Sequence, residues 1–129
     1  MQNKWALEEH LSTAENNTLW DSAGESARNG KALTEYVETH LLDVHERIAL
    51  MDKTGIERAI LSLTSPGVQS ILDTKTAIRV ARDTNDAVRA SYVDKFPGRL
   101  SMFAFLPTQD AGEAAAELER TVTSARSEP

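Results

Sequence analysis

The chain has 129 residues, 40% hydrophobic and 26% charged, which suits one domain with a real core and describes an ordinary globular protein and not a disordered one. A net charge of −6 argues against a nucleic-acid surface, and the absence of cysteine excludes disulfides and thiolate metal sites. No apolar run reaches the roughly 20 residues of a membrane span, and the early Glu8 and Glu9 are unlike a secretory leader, so cytoplasmic residence is the expectation.

Residues 4–8 open the chain with a short apolar-led strand. Glu8 and His10 stand two apart at its end. Side chains alternate across a strand, so an extended backbone aims this carboxylate and imidazole at a common point and leaves Glu9 facing away. Both donors are ordinary ligands of zinc, manganese and related divalent ions. Alone, the Glu-x-His tripeptide is a weak signal, because charged residues and His end many strands with no further role.

A polar stretch from Ser12 to about Lys31 reads as a long loop with Trp20 as its one large apolar side chain. Trp20 suits either a pocket cap or a loop anchor. Leu33, Val37, Leu41, Val44, Ile48 and Met51 then step by four or three, which predicts one long helix with a buried stripe. Gly55 suits its left-handed C-terminal cap. His40 and His45 fall five apart on that helix, hence on different faces, and are expected as exposed or boundary residues.

Residues 56–63 form the second strand, apolar enough to be covered on both faces, and Thr64-Ser65-Pro66-Gly67 breaks it. A second helix is expected from about Thr74 to Lys95, with Ile78, Ala81, Asn85, Val88 and Tyr92 on one face. Asn85 reads there as a buried hydrogen-bonding residue. Residues 100–106 make the third strand. Asp110 is an N-cap with Glu113 three residues on, and Ala111, Ala115, Leu118 and Val122 mark the stripe of the last helix. Three strand–helix repeats imply an α/β fold with parallel pairing. Periodicity leaves open a small three-stranded sandwich or the opening portion of a (β/α)₈ barrel.

The segments A-L-E-E-H at 6–10, I-A-L-M-D-K-T-G-I at 48–56 and I-L-S-L-T-S-P-G-V-Q at 60–69 together carry a resemblance. They are joined by A-R-D-T-N-D at 81–86, F-P-G-R-L at 96–100 and F-A-F-L-P-T-Q-D at 103–110. In that order they resemble the hydroxybenzoate decarboxylases of the amidohydrolase superfamily, among them the γ-resorcylate and 2,3-dihydroxybenzoate enzymes. The resemblance implies the first three βα units of a metal-dependent (β/α)₈ barrel over residues 1–122. It makes Glu8 and His10 the metal ligands, for Zn²⁺ or Mn²⁺, and a small aromatic carboxylic acid the substrate. The ion would orient the substrate's carboxylate and ortho-phenolic oxygen while an acid protonates the ring carbon and carbon dioxide leaves. It further implies homo-oligomers in the full-length family. In a barrel Thr64, Ser65 and Pro66 fall on the same rim as His10 and could border the substrate, although a turn explains Pro and Gly without function; Trp20, as a pocket cap, is the lining candidate from the first loop. Hydrolysis of a cyclic or lactone substrate is the superfamily alternative, disfavoured by Glu-x-His where many relatives carry His-x-His.

The resemblance also implies a further His and an Asp from later strands as ligands, together with a general acid, and none has a counterpart here. After Val122, family members continue into another strand, whereas residues 123–129 read T-S-A-R-S-E-P, a divergent polar tail. The expectation is a truncated copy that holds no catalytic residue and has little activity alone. A non-catalytic assembly or binding partner is the second reading, since an incomplete barrel leaves strand edges and apolar faces open.

Overall fold

The structure, a computed structural model, describes residues 4–22 and 24–126. Strand β1 (Lys4–Leu11) leads through helix α1 (Ala14–Ser22), α2 (Glu25–Leu42) and α3 (Val44–Thr54) to β2 (Ile56–Leu63). A single 3₁₀ turn (Val68–Ser70) precedes α4 (Thr74–Val88), which runs on into a π turn (Arg89–Val93). Strand β3 (Leu100–Met102) and helix α5 (Ala111–Arg126) follow. The three strands pair in parallel in the order β1-β2-β3, the pattern expected of consecutive βα units.

The stretch expected as one long loop carries α1 and the start of α2. Thr13 caps α1 by accepting the Asn16 backbone N–H on its hydroxyl at 3.1 Å. Thr18 and Ser22 donate their hydroxyls to the carbonyls four residues back, at 3.0 and 2.8 Å. Polar side chains thus satisfy themselves within the helix, so polarity was a misleading sign of loop here.

The single long helix expected after Leu33 is two helices. Asp43 breaks it with extended backbone, φ −87° and ψ 103°, and accepts the N–H groups of His45 and Glu46 on its carboxylate. Within α2, Gly30 departs from helical geometry at φ 76° and kinks it. Val44 and Met51 are buried and Ile48 packs beside them, but Leu33 is exposed, and the Val37 side chain lies outside the described residues. Gly55 takes the expected left-handed cap at φ 73°.

Two further boundaries move. Strand β1 continues to Leu11, past the expected end at Glu8. Strand β3 stops at Met102, short of the expected Leu106. Beyond it, the Phe105 backbone is held by a side chain instead of a ladder. Asn85 accepts the Phe105 N–H on Oδ1 and donates Nδ2 to the Phe105 carbonyl, both at 2.9 Å.

The helices that pack on the sheet cover one face of it. Leu11, Ala59, Leu61 and Leu100 turn toward them and are buried together with Met51, Val80, Ala81, Val88 and Tyr92. Among the described residues, nothing covers the opposite face. Trp5 and Leu7 are 58% and 64% exposed there, and Arg58 lies over the Trp5 ring at 5.1 Å. On β2 that face carries exposed Arg58 and half-buried Ile60 and Ser62, so the expected full cover of β2 is met only on the helix side.

The alanine stripe of α5 fails in the same sense. Ala111, Ala115, Leu118 and Val122 are all exposed, and the helix turns Glu117 inward instead. Glu117, only 4% exposed, receives Asn85 Nδ2 at 2.8 Å and two guanidinium nitrogens of Arg120 at 2.7 and 2.8 Å. A buried carboxylate with three donors is tolerated, and it fastens α5 to α4. The Arg120 hydrogen bonds hold Glu117 below the ordinary carboxyl value, against the opposing effect of burial and with help from Asn85 and Arg82.

A lowered folded-state value means that stability from Glu117 is complete above the unfolded carboxyl range and is lost as pH falls through the folded value. Denaturation midpoints measured from pH 7 to pH 3 are therefore expected to drop less steeply for Glu117→Gln than for the parent chain. At pH 7 the same substitution is expected to cost about 2–3 kcal/mol.

Candidate functional site

The site forms where β1 and β2 end. One extra residue in β1 shapes it: Ala6 pairs with Ala59 and Glu9 with Leu61, so three steps of β1 match two of β2. Glu8 lies in this bulge with φ 58°, the left-handed region that side chains other than glycine rarely adopt. The strictly extended backbone assumed for Glu8 and His10 is thus absent at Glu8 itself. Past the bulge the ladder resumes with His10 opposite Ser62 and Leu11 opposite Leu63.

Alternation then sorts the side chains. Glu9 and Leu11 turn toward the helices, and His10 turns to the uncovered face with Ser62. His10 Nδ1 lies 3.0 Å from Ser62 Oγ. Glu8 and His10 are both exposed. Glu9 faces elsewhere, as expected, and pairs with Arg47 from α3 at 3.6 Å. The Arg47 guanidinium also donates to the His10 carbonyl, so α3 grips β1 at the candidate pair. Burial pulls the Arg47 pKa down, and Glu9 partly restores it.

The loop after β2 is clamped by Asn16, a buried residue of α1. Its Oδ1 accepts the Gly67 N–H at 3.0 Å, and its Nδ2 donates to the Thr64 carbonyl at 3.3 Å and to Ser12 Oγ at 3.2 Å. The Ser65–Pro66 peptide between them is cis. A cavity of about 60 Å³ opens beside this clamp, lined by Asn16, Asn17, Trp20, Leu41, Thr64 and Ser65. Three of the four expected lining residues therefore share one cavity, while Pro66, Glu8 and His10 do not border it. Its volume is well below the roughly 300 Å³ at which small-molecule pockets begin.

Among the described residues, no group of three or more His, Asp or Glu side chains could hold a metal ion. Glu8 and His10 are donors of the right chemistry but only two of the three or four a stable site needs. The other histidines are engaged apart from them and on separate helices. His40 stacks on Tyr36 at 4.1 Å, and His45 meets the Phe96 ring edge-on at 5.5 Å. Ser62, Arg47 and Asn16 had no individual signal in the sequence. Ser62 could have been found only from the β1–β2 register, which the bulge sets.

No protein-family model matches the chain. It is 48% identical over 123 residues to the γ-resorcylate decarboxylase of Polaromonas sp. strain JS666, across 95% of this chain and 36% of that enzyme. The structure matches a dihydroxybenzoic acid decarboxylase from Polaromonas sp. JS666, solved with bound manganese and the inhibitor 2-nitroresorcinol, with a TM-score of 0.83 and 45% identity. That match also covers 95% of this chain and 36% of the other. A 5-carboxyvanillate decarboxylase from Novosphingobium aromaticivorans, solved with manganese, matches with a TM-score of 0.80 and 32% identity over 98% of this chain and 39% of its own. The chain thus spans 36% of the length of the curated relatives it matches. With three parallel βα units of the barrel type, the chain is homologous to the N-terminal portion of the γ-resorcylate decarboxylases of the amidohydrolase superfamily.

Proposed function

We propose that this chain supplies the metal-holding part of a hydroxybenzoate decarboxylase site and is inactive by itself. The observation that carries this reading is the placement of Glu8 and His10 where β1 ends, in a chain homologous to decarboxylases solved with manganese. The donor set fits a divalent ion in part: one carboxylate and one imidazole suit Mn²⁺ or Zn²⁺. When bound, such an ion supplies Lewis-acid orientation of an aromatic carboxylate bearing an ortho hydroxyl. Glu8 and His10 would hold it, and the rim of Trp20, Thr64, Ser65 and Pro66 would border the ring. The proton that must reach the ring carbon as carbon dioxide departs has no donor assigned among the described residues. Cytoplasmic residence and a division at residue 122 belong to the same proposal; among the described residues no helix is long and apolar enough to cross a membrane.

The left-handed backbone at Glu8 supports a functional reading, because strain of that kind persists at sites that use it. Glycine would relieve it. Glu8→Gly is expected to stabilise the fold by about 0.5–1 kcal/mol in chemical denaturation, the strain relieved less the added unfolded-state entropy. A loss of stability would show that the Glu8 side chain serves packing instead.

A second reading is favoured by the uncovered sheet face, where Trp5, Leu7 and Phe103 are exposed. Apolar area of that kind promotes association with a protein partner or a second copy. Light scattering coupled to size exclusion is expected to show species larger than a monomer; a tidy monomer with little dye binding argues against this reading. For the first reading, the isolated chain is assayed with 2,6-dihydroxybenzoate and Mn²⁺ or Zn²⁺. No turnover above the Glu8→Ala/His10→Ala double variant is expected, and steady turnover would refute the claim of inactivity.

A further inference from the structure

We infer that Ser62 is a positioning residue that selects which nitrogen His10 offers to a metal ion. The inference rests on the proposal that His10 is a ligand, and it deepens it. A neutral imidazole carries one proton, on Nδ1 or on Nε2, and only the nitrogen without it can bind a cation. In water the Nε2–H form is the preferred one. A ligand that binds through Nε2 must therefore be held in the less favoured form by an acceptor at Nδ1.

The β1–β2 register provides that acceptor. It sets His10 directly across from Ser62, with Nδ1 and Oγ 3.0 Å apart. A serine hydroxyl can accept from Nδ1–H, which leaves the Nε2 lone pair free. The backbone is fixed independently, because the Arg47 guanidinium donates to the His10 carbonyl while pairing with Glu9. Arg47 thus holds the main chain from the helix side, and Ser62 holds the ring from the uncovered side. Among the described residues, the His10 ring is hydrogen-bonded through Nδ1, which leaves Nε2 as the edge that faces a ligand. The bulge at Glu8 is what makes this pairing possible, since without the extra residue His10 would fall out of register with Ser62.

The test uses the whole chain labelled with ¹⁵N-histidine at about pH 8, above the ordinary histidine range. Two-bond ¹H–¹⁵N spectra report which ring nitrogen carries the proton, and added Mn²⁺ broadens the resonances of any histidine it binds. His40 and His45 serve as internal controls. In the parent chain His10 is expected to be mainly Nδ1–H and to broaden first. Ser62→Ala is expected to shift His10 toward Nε2–H and to raise the Mn²⁺ concentration needed for broadening by about tenfold. Ser62→Thr keeps the hydroxyl and is expected to retain both properties. Ser62→Val, its isostere without the hydroxyl, repeats the loss with a strand-favouring side chain should Ser62→Ala fold poorly. A parent His10 in the Nε2–H form, or Ser62→Ala and Ser62→Val matching the parent in both readouts, overturns the role of Ser62. A parent His10 that Mn²⁺ does not broaden ahead of His40 and His45 overturns the ligand reading itself.

Discussion

Parallel pairing of β1 with β2, across one extra residue in β1, is the constraint from which the candidate site follows. Ala6 and Glu9 are matched to Ala59 and Leu61, so the bulge absorbs a residue at Leu7 and Glu8 and returns the strand to register. Because side-chain direction alternates, one residue of slip would exchange the two faces. With the bulge, Leu11 enters the core and Glu9 meets Arg47, while His10 faces Ser62. The left-handed φ of Glu8 is the conformational cost of that correction.

Burial on one side of the sheet explains the rest of the architecture. The helices cover Leu61, Ala59 and Leu100, and Tyr92 reaches across to donate its hydroxyl to the Leu42 carbonyl at 2.7 Å. Burial raises the Tyr92 pKa, which keeps that donor protonated. On the far side Trp5, Leu7 and Phe103 remain exposed, on the face that the barrel-type homology assigns to a barrel interior.

Polar groups, more than apolar ones, set the joints between elements. Asn16 ties α1 to the loop after β2, Asn85 ties α4 to the chain beyond β3, and Glu117 joins α5 to Asn85 and Arg82 of α4. Each is buried with its hydrogen-bonding capacity met, so each fixes a single geometry where apolar contacts would allow sliding. The expected role of Asn85 was legible because it interrupts an apolar stripe. Asn16 stood in a polar stretch, and Glu117 lay off the stripe expected to be buried, so neither carried such contrast.

The sequence by itself determined the three βα units, the span of β2, the caps at Gly55 and Asp110, and the Glu-x-His pair with its family resemblance. These are local properties, set by periodicity, turn chemistry and motif over a few neighbouring residues. The tertiary structure decided what depends on distant partners. It ended β3 at Met102, because Asn85 captures the Phe105 backbone, and split the long helix at Asp43, where a capping carboxylate competes with the helical path. It turned Glu117 inward and the alanine stripe outward, since three donors make a buried carboxylate tolerable. It also set Ser62 against His10, a contact between residues 52 apart that exists only through the register of two strands.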